Sequence, residues 1–163
     1  MTRPLSDFEY PPMVAYTHRS ISSGPASVAI PFGEGTIVFP GPLPDWSRES
    51  IIRVCELGEL PENWDSYGGR VIDVSLALAA IQLILDTFGP AVPAPAVVPT
   101  NRGGVQLEWH RHGCDLEIRI ESPSRFRIVF DDAQTGEALE QAMAGDLRPL
   151  IPLLERISTP GEA

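Results

Sequence analysis

The chain has 163 residues and a formal net charge of −10, with 43% hydrophobic and 21% charged residues. This size and composition fit a single globular domain and exclude a chain that is too polar or too charged to bury a core. Because the chain as a whole repels a polyanion, we expect no direct binding to nucleic acid.

The two cysteines, Cys55 and Cys114, lie far apart and form no CxxC or Cys/His ligand pattern, which favours a reducing compartment. The first 20 residues are polar and contain no apolar run typical of a signal peptide. The longest apolar stretch, residues 74–85, is shorter than the about 20 residues that cross a bilayer. We therefore expect a soluble cytoplasmic protein with no membrane partner.

The composition of residues 1–26, rich in proline and serine, predicts a flexible or partner-ordered N-terminal arm. Residues 27–163 are predicted to form a single α+β domain. This domain begins with a β-hairpin from Val28 to Phe39 that turns at Gly33-Glu34-Gly35. Pro31 favours an edge position for the first strand of the hairpin, because proline cannot donate a backbone hydrogen bond to a neighbouring strand.

Two helices are predicted after the hairpin. Residues 46–57 have helical spacing of apolar side chains, and either Asp45 or Ser47 is available as N-cap. Asp73 is placed to cap a second helix that runs to about Phe88 and is apolar over most of its circumference. We expect that helix to be covered on two sides, either within one chain or in a homodimer.

A proline-rich strap at residues 90–99 is expected to be extended, and beyond it the apolar residues alternate with a period of two. Three strands are predicted at residues 105–109, 116–120 and 126–130. A two-residue turn at His112-Gly113 pairs the first two strands so that all their apolar side chains fall on one face.

The C-terminal part is less regular. Residues 137–143 are compatible with a strand or a helix, and Asp146 is expected to cap a last helix through about Ile157 that bends at Pro152. The predicted fold class is α+β: an antiparallel three- to four-stranded sheet with helices packed on one face, plus an N-terminal hairpin and an extended arm.

Two segments are distinctive in content and order. The first is LPENWDSYG at residues 60–68, and the second contains PT, GGVQLEW and DLEI between residues 99 and 118. Together they resemble a family of small uncharacterised bacterial proteins with an NWDSYG motif, a helix, and a PT..GGVQLEW and DLEI hairpin. The resemblance covers about residues 60–121, leaves residues 1–45 outside it, and implies no activity.

The NWDSYG loop gathers amide, carboxylate, hydroxyl and phenol groups, which makes Asn63, Asp65 and Tyr67 candidate ligand-binding residues. In the alternative interpretation, Asn63 and Asp65 bond their own backbone as Asx-turns. Trp64 and Tyr67 then pack into the core. Because turn chemistry alone accounts for every residue type in the loop, this second interpretation is favoured.

Glu108, His110 and His112 alternate along one predicted strand, with Asp115 opposite His110 in the expected register. Two imidazoles and a carboxylate are suitable metal ligands. The same spacing fits an exposed sheet face on which His112 is a turn residue. Because no metal signature such as HExxH is present, we expect no metal and no cofactor.

An enzyme would have Asp65, Glu108 and His110 as candidate catalytic residues, provided that the NWDSYG loop lies against the polar face of the sheet. Glu117 is expected opposite Glu108, and two neighbouring carboxylates can divide acid and base roles. Arg119 lies diagonal to Glu108 and favours neutralisation of the pair. The sequence contains no phosphate-binding loop and no nucleophile elbow, so catalysis is not favoured.

The net charge, the missing catalytic signature and the N-terminal arm favour a non-catalytic protein–protein interaction or accessory protein. One form of it is an antitoxin-like or inhibitor-like neutraliser of a basic partner. The alternative is a small enzyme or ligand-binding domain with a site between the NWDSYG loop and the polar sheet face. Burial of Trp64 and Tyr67 favours the first hypothesis, and their convergence with Glu108 and His110 around a cavity favours the second.

Overall fold

The computed structural model describes residues 14–18 and 27–159. In these residues the chain is α+β, with two antiparallel sheets in the orders β1-β3-β2 and β4-β5-β6-β7-β8. A short 3₁₀ turn, Leu57–Glu59, follows the first helix directly. The elements are β1 Ala15–Thr17, β2 Val28–Phe32, β3 Gly35–Phe39, α1 Asp45–Glu56, α2 Val74–Thr87, β4 Ala96–Pro99, β5 Val105–Arg111, β6 Cys114–Ser122, β7 Arg125–Asp132, β8 Glu137–Ala144 and α3 Leu150–Ser158.

The main sheet has five strands, one more than the predicted maximum. β4 comes from the proline-rich strap and pairs with β5, while β8 is the segment compatible with strand or helix and pairs along β7. The indole N–H of Trp109 donates to the carbonyl of Pro93 at 2.7 Å and fixes the strap beside the sheet. Both added strands satisfy backbone groups of a strand that otherwise has a free edge.

The pairing of β5 with β6 confirms the predicted register. His112 and Gly113 form the two-residue turn with φ angles of 54° and 76°, as expected for a hairpin turn that matches the twist of its strands. The inner face of the sheet carries the buried residues Leu107, Trp109, Leu116, Ile118, Ile128 and Phe130. The opposite side, called the outer face below, carries on β5 and β6 the polar residues Gln106, Glu108, His110, Asp115, Glu117 and Arg119.

The second helix is capped as predicted, because the carboxylate of Asp73 accepts the backbone N–H of Ser75 at 2.8 Å. Its apolar residues are buried between α1 on one side and β5 and β6 on the other. The two-sided apolar surface of α2 is therefore explained within one chain, without a second copy. Among the helices of residues 27–159, none is both long and apolar enough to cross a membrane.

The start of α1 differs from the prediction. The N-cap position is occupied by Pro44, whereas Asp45 and Ser47 lie inside the first turn. The hydroxyl of Ser47 donates to the carbonyl of Pro44 at 2.9 Å, so this serine supports the first turn as a donor instead of capping it as an acceptor. Pro44 fits there because the first N–H groups of a helix have no intrahelical partner.

The start of α3 also differs from the prediction. Asp146 accepts the backbone N–H of Arg148 at 3.0 Å in a turn that precedes the helix, and α3 begins at Leu150. Pro152 consequently lies in the first turn of α3. Its missing N–H costs no intrahelical hydrogen bond at that position.

Part of the predicted N-terminal arm lies on the chain's own small sheet. β1 pairs antiparallel with β3, with Tyr16 opposite Ile37. Of residues 1–26, only 14–18 are described, and the rest of that prediction lies outside the described residues. The hairpin of β2 and β3 is confirmed, and β2, which contains Pro31, is an edge strand as predicted. The pairing of β1 weakens the sequence argument that this segment recruits another protein.

Candidate functional site

The NWDSYG loop is held together by its own hydrogen bonds. The carboxylate of Asp65 accepts the backbone N–H of Tyr67 at 2.8 Å and of Gly69 at 2.7 Å. The side-chain oxygen of Asn63 accepts the backbone N–H of Gly68 at 2.7 Å. The N–H donors, that of Tyr67 first, hold the pKa of the Asp65 carboxyl below its usual value. Asn63 and Asp65 thus perform the turn chemistry that the sequence favours.

The aromatic side chains of the loop do not pack as expected. Trp64 is half-buried, and its indole N–H donates to the carbonyl of Arg70 at 3.1 Å. Tyr67 is 93% exposed, so the prediction that it packs into the core is wrong. This tyrosine therefore shows neither the burial expected for the interaction hypothesis nor convergence with His110 around a cavity, as expected for the enzyme. Ser66 directly before Tyr67 has a φ of 64°, in the left-handed region that costs a non-glycine residue about 1–2 kcal/mol. The hydrogen bonds of the loop offset this cost and turn Tyr67 outwards.

The loop joins the main sheet at the beginning of β5. The backbone N–H of Asp73 donates to the carbonyl of Gly103 at 2.8 Å, in the turn that leads into Val105. His110 lies near the other end of β5, about 16 Å along the strand at about 3.3 Å per residue. The structure therefore places Asp65 and His110 at opposite ends of β5, whereas the alternative active site needs them together.

His110 lies between two carboxylates on the outer face. Its Nδ1 is 2.7 Å from Asp115 and its Nε2 is 3.7 Å from Glu108. The hydrogen bond to Asp115, followed by the interaction with Glu108, raises the pKa of His110. His112 occupies the turn, and residues 14–18 and 27–159 contain no group of three His, Cys, Asp or Glu side chains that could hold a metal ion. The grouping of Glu108, His110 and His112 as ligands is not found there.

The carboxylate pair on the outer face is bridged by an amide. Glu108 lies opposite Glu117 as predicted. The side-chain nitrogen of Gln106 donates to Glu108 at 2.6 Å and to Glu117 at 3.2 Å. Its oxygen accepts a hydrogen bond from Nε of Arg119 at 2.8 Å. Gln106 is only 8% exposed, so this network is closely packed and Glu108 and Glu117 do not form a free acid–base pair.

A cavity of about 700 Å³ opens beside this network. It lies between Leu76 in the first turn of α2, the turn at residues 99–104, and the adjoining parts of β5 and β6 with Gln106 and Arg119. The candidate residues of the NWDSYG loop and His110 do not line it. Sequence reasoning missed Arg102 and Arg119 as site residues; Arg119 lies opposite Gln106 in the β5–β6 register.

The thiols offer no nucleophile to these sites. Cys55 and Cys114 are free and buried. Burial raises the pKa of Cys55 to about 12, and burial also raises the pKa of Cys114. Because the thiolate is the reactive form, both cysteines are unreactive at neutral pH.

Comparison of the chain with protein-family models, with curated proteins and with solved structures found no match. The resemblance to small bacterial proteins with the NWDSYG motif therefore stays a prediction.

Proposed function

We propose that this chain is a non-catalytic interaction protein that binds a basic protein partner through the surface around Tyr67. The observation that carries the proposal is the 93% exposure of this tyrosine on a loop fixed by hydrogen bonds. Tyrosine is enriched among the residues that supply most of the binding energy in protein interfaces, because its ring is large and its hydroxyl stays hydrogen-bonded.

The loop is organised before any partner arrives. Asp65 and Asn63 bond three backbone N–H groups of the loop, and Glu62 accepts the N–H of Val71 at 3.3 Å. Val71 is itself 53% exposed and extends the apolar part of the same segment. A loop that is already ordered loses little conformational entropy on binding, so more of the contact energy remains as affinity.

The charge of the chain supports a basic partner. The net charge is −10, and the segment before Tyr67 contains Glu59, Glu62 and Asp65. An acidic surface accelerates encounter with a basic protein and repels acidic ones. A neutraliser of the antitoxin or inhibitor type, working in the cytoplasm, is the specific form of this proposal.

The alternative of an enzyme with Asp65, Glu108 and His110 has less support. The Asp65 carboxylate already accepts two backbone N–H groups, and Glu108 accepts the amide of Gln106. The loop contacts the sheet at the opposite end of β5 from His110. Three groups placed and bonded in this way do not converge on one reacting atom.

The proposal is tested with affinity-tagged wild-type protein, Y67A and I52A, each used to capture proteins from a lysate of the native host. Ile52 is the matched control because it is also exposed, at 38%, but lies on α1. We expect wild type and I52A to retain one basic protein in stoichiometric amount and Y67A to lose it. With purified partner, calorimetry should show a loss of about 2 kcal/mol for Y67A, the size of an interface hot spot.

Retention of the partner by Y67A at wild-type affinity, or the absence of any stoichiometric partner, contradicts the proposal. The thermal midpoints of the three proteins are compared first, because an exposed side chain contributes little to folding and Y67A should unfold like wild type. If the partner stays bound to the wild-type protein at high salt, the proposed role of the acidic surface is wrong, since salt screens the attraction between exposed charges.

A further inference from the structure

Arg119 on the outer face has unused hydrogen-bonding capacity. Across the part of the chain that is described, the one hydrogen bond of its side chain runs from Nε to the side-chain oxygen of Gln106, at 2.8 Å. Arg127 on the neighbouring strand is instead bonded to Glu121 at 2.7 Å. The two Nη groups of Arg119 therefore have no carboxylate partner among these residues, and Arg119 lines the cavity.

The guanidinium of Arg119, an exposed residue, is held at its Nε by a hydrogen bond to a buried amide. Gln106 accepts the Nε–H of Arg119 while its own amide nitrogen is held by Glu108 and Glu117. The amide of Gln106 is nearly inaccessible to water, so it has little freedom to rotate. A guanidinium held at Nε presents its two Nη groups as a planar fork, which matches the two oxygens of a carboxylate.

The charge balance at the cavity favours an anion. Arg102 also lines the cavity and makes no hydrogen bond or ion pair within residues 14–18 and 27–159. Glu121 lines the same cavity, but Arg127 and Arg125 bond its carboxylate at 2.7 and 3.2 Å. The hydrogen bond from Arg127, the closer of the two, holds the pKa of Glu121 below its usual range, and the charge of Arg119 acts in the same direction. The Glu121 carboxylate therefore stays ionised, but Arg127 and Arg125 pair with it.

The turn that forms one wall of the cavity is fixed as well. The hydroxyl of Thr100 accepts the backbone N–H of Gly104 at 2.9 Å. The backbone N–H of Arg70 donates to the carbonyl of Asn101 at 3.0 Å and ties the turn to the segment after the NWDSYG loop. A Cβ on Gly104 would lie 2.8 Å from the Thr100 oxygen, so the residue must be small for the turn to close.

We propose that this cavity binds a small organic anion whose carboxylate pairs with Arg119 and whose apolar part lies against the half-buried Leu76 and Pro99. The volume of about 700 Å³ lies in the range of small-molecule sites, about 300–1,000 Å³. An inorganic ion would leave the accessible parts of these two apolar side chains without a contact. This site is separate from the surface around Tyr67 and does not depend on the proposed function.

The test uses ¹⁵N-labelled full-length protein and NMR titration with benzoate, benzamide and inorganic phosphate. Benzoate joins a carboxylate to an apolar ring, benzamide keeps the shape without the charge, and phosphate keeps the charge without the ring. We expect saturable shifts of the Arg119 Nε–H and the Gly104 amide with benzoate alone. R119Q should weaken benzoate binding at least about tenfold, because a charge-assisted bidentate pair is lost.

The matched control is R111Q, which removes the same charge from an exposed position at the far end of β5 and should bind benzoate like wild type. R102Q is a second variant and should weaken binding by a smaller factor, so the test survives if R119Q does not fold. Equal shifts with benzamide, saturation by phosphate but not benzoate, the absence of saturable shifts, or unchanged binding by R119Q would each overturn the proposal.

Discussion

The NWDSYG loop and the outer face of the main sheet both pair their polar side chains within the chain, but with different kinds of partner. In the loop, Asp65 accepts backbone N–H groups, and on the sheet Gln106 links Glu108, Glu117 and Arg119. Each region satisfies most of its polar groups internally. Among the groups that stay accessible in the described residues are the ring of Tyr67 in the loop and the two Nη groups of Arg119 on the sheet.

The two regions therefore suit two kinds of binding partner, a protein and a small anion. A projecting ring such as Tyr67 suits a partner that brings its own pocket, whereas the fork of Arg119 lines a concavity and suits a small anion. The residues that first suggest chemistry, Asp65 and Glu108, are the ones already bonded inside the chain. A polar side chain is therefore a better functional candidate when its own fold leaves it without a partner.

The largest expected effect comes from G103A, which disturbs the contact between the segment after the NWDSYG loop and the turn that leads into β5. Gly103 has a φ of +81°, and an added Cβ would lie 2.6 Å from the backbone carbonyl oxygen of Val71. We expect a loss of about 3 kcal/mol in the free energy of unfolding, from the left-handed conformation and the backbone clash together. Urea denaturation measures it, with G89A as the control because a Cβ on Gly89 meets no atom within 4 Å. A G103A protein as stable as G89A would contradict this prediction and show that the contact between Gly103 and Val71 can relax.

A smaller effect is expected for Q106L, which disturbs the sheet alone. The substitution removes the donor shared by Glu108 and Glu117 and leaves these like charges directly opposite each other. We expect a loss of about 1–2 kcal/mol in the free energy of unfolding and weaker benzoate binding, because Arg119 loses its orientation. The control Q141L alters an exposed glutamine on β8 and should change neither quantity. Unaltered benzoate affinity in Q106L would contradict the positioning role of the amide.

The smallest effect is the pH dependence of His110. Its pKa is raised above the ordinary value of about 6.5, first by the hydrogen bond to Asp115. The stabilisation is therefore fully present below about pH 6.5 and is lost as the pH rises through the raised pKa. NMR titration of the imidazole C–H signals should show a raised pKa that falls back in D115N. A His110 pKa that is the same in D115N would assign the shift to Glu108 instead.

Alternating residues made the centre of the main sheet predictable. The period of two in β5 and β6, with His112-Gly113 between them, defines both the turn and the register. Asp73 was predictable for a similar reason, since a capping carboxylate acts within its own helix turn. A hairpin turn, its register and a helix cap depend on residues that are close together in the sequence, so the sequence is enough to predict them.

The outer strands of the main sheet depend on distant partners. β8 has the sequence EALEQAMA, which consists of residues that favour helices. It forms a strand because the edge of β7 supplies its backbone partners, because Met143 is buried in the core, and because Glu140 pairs with Arg127 at 2.9 Å. Tertiary pairing overrides helix propensity here.

The cavity was out of reach of sequence reasoning for the same reason. Leu76, Arg102 and Arg119 belong to a helix, a turn and a strand that meet only in the folded chain. The exposure of Tyr67 was equally unpredictable, because turn residues in a motif do not determine whether its aromatic rings point to the core or to solvent. Both candidate sites therefore come from packing and from the hydrogen bonds that the chain has already used.

The burial of both cysteines makes the two sites open to selective chemical labelling. With Cys55 and Cys114 buried and little ionised at neutral pH, a maleimide dye has no competing native target. A cysteine introduced at the exposed Arg70, just after the loop, or at the exposed Asn101, in the wall of the cavity, can therefore carry a fluorophore while Tyr67, Arg102 and Arg119 stay in place. Binding at each of the two proposed sites can then be followed as a separate optical signal.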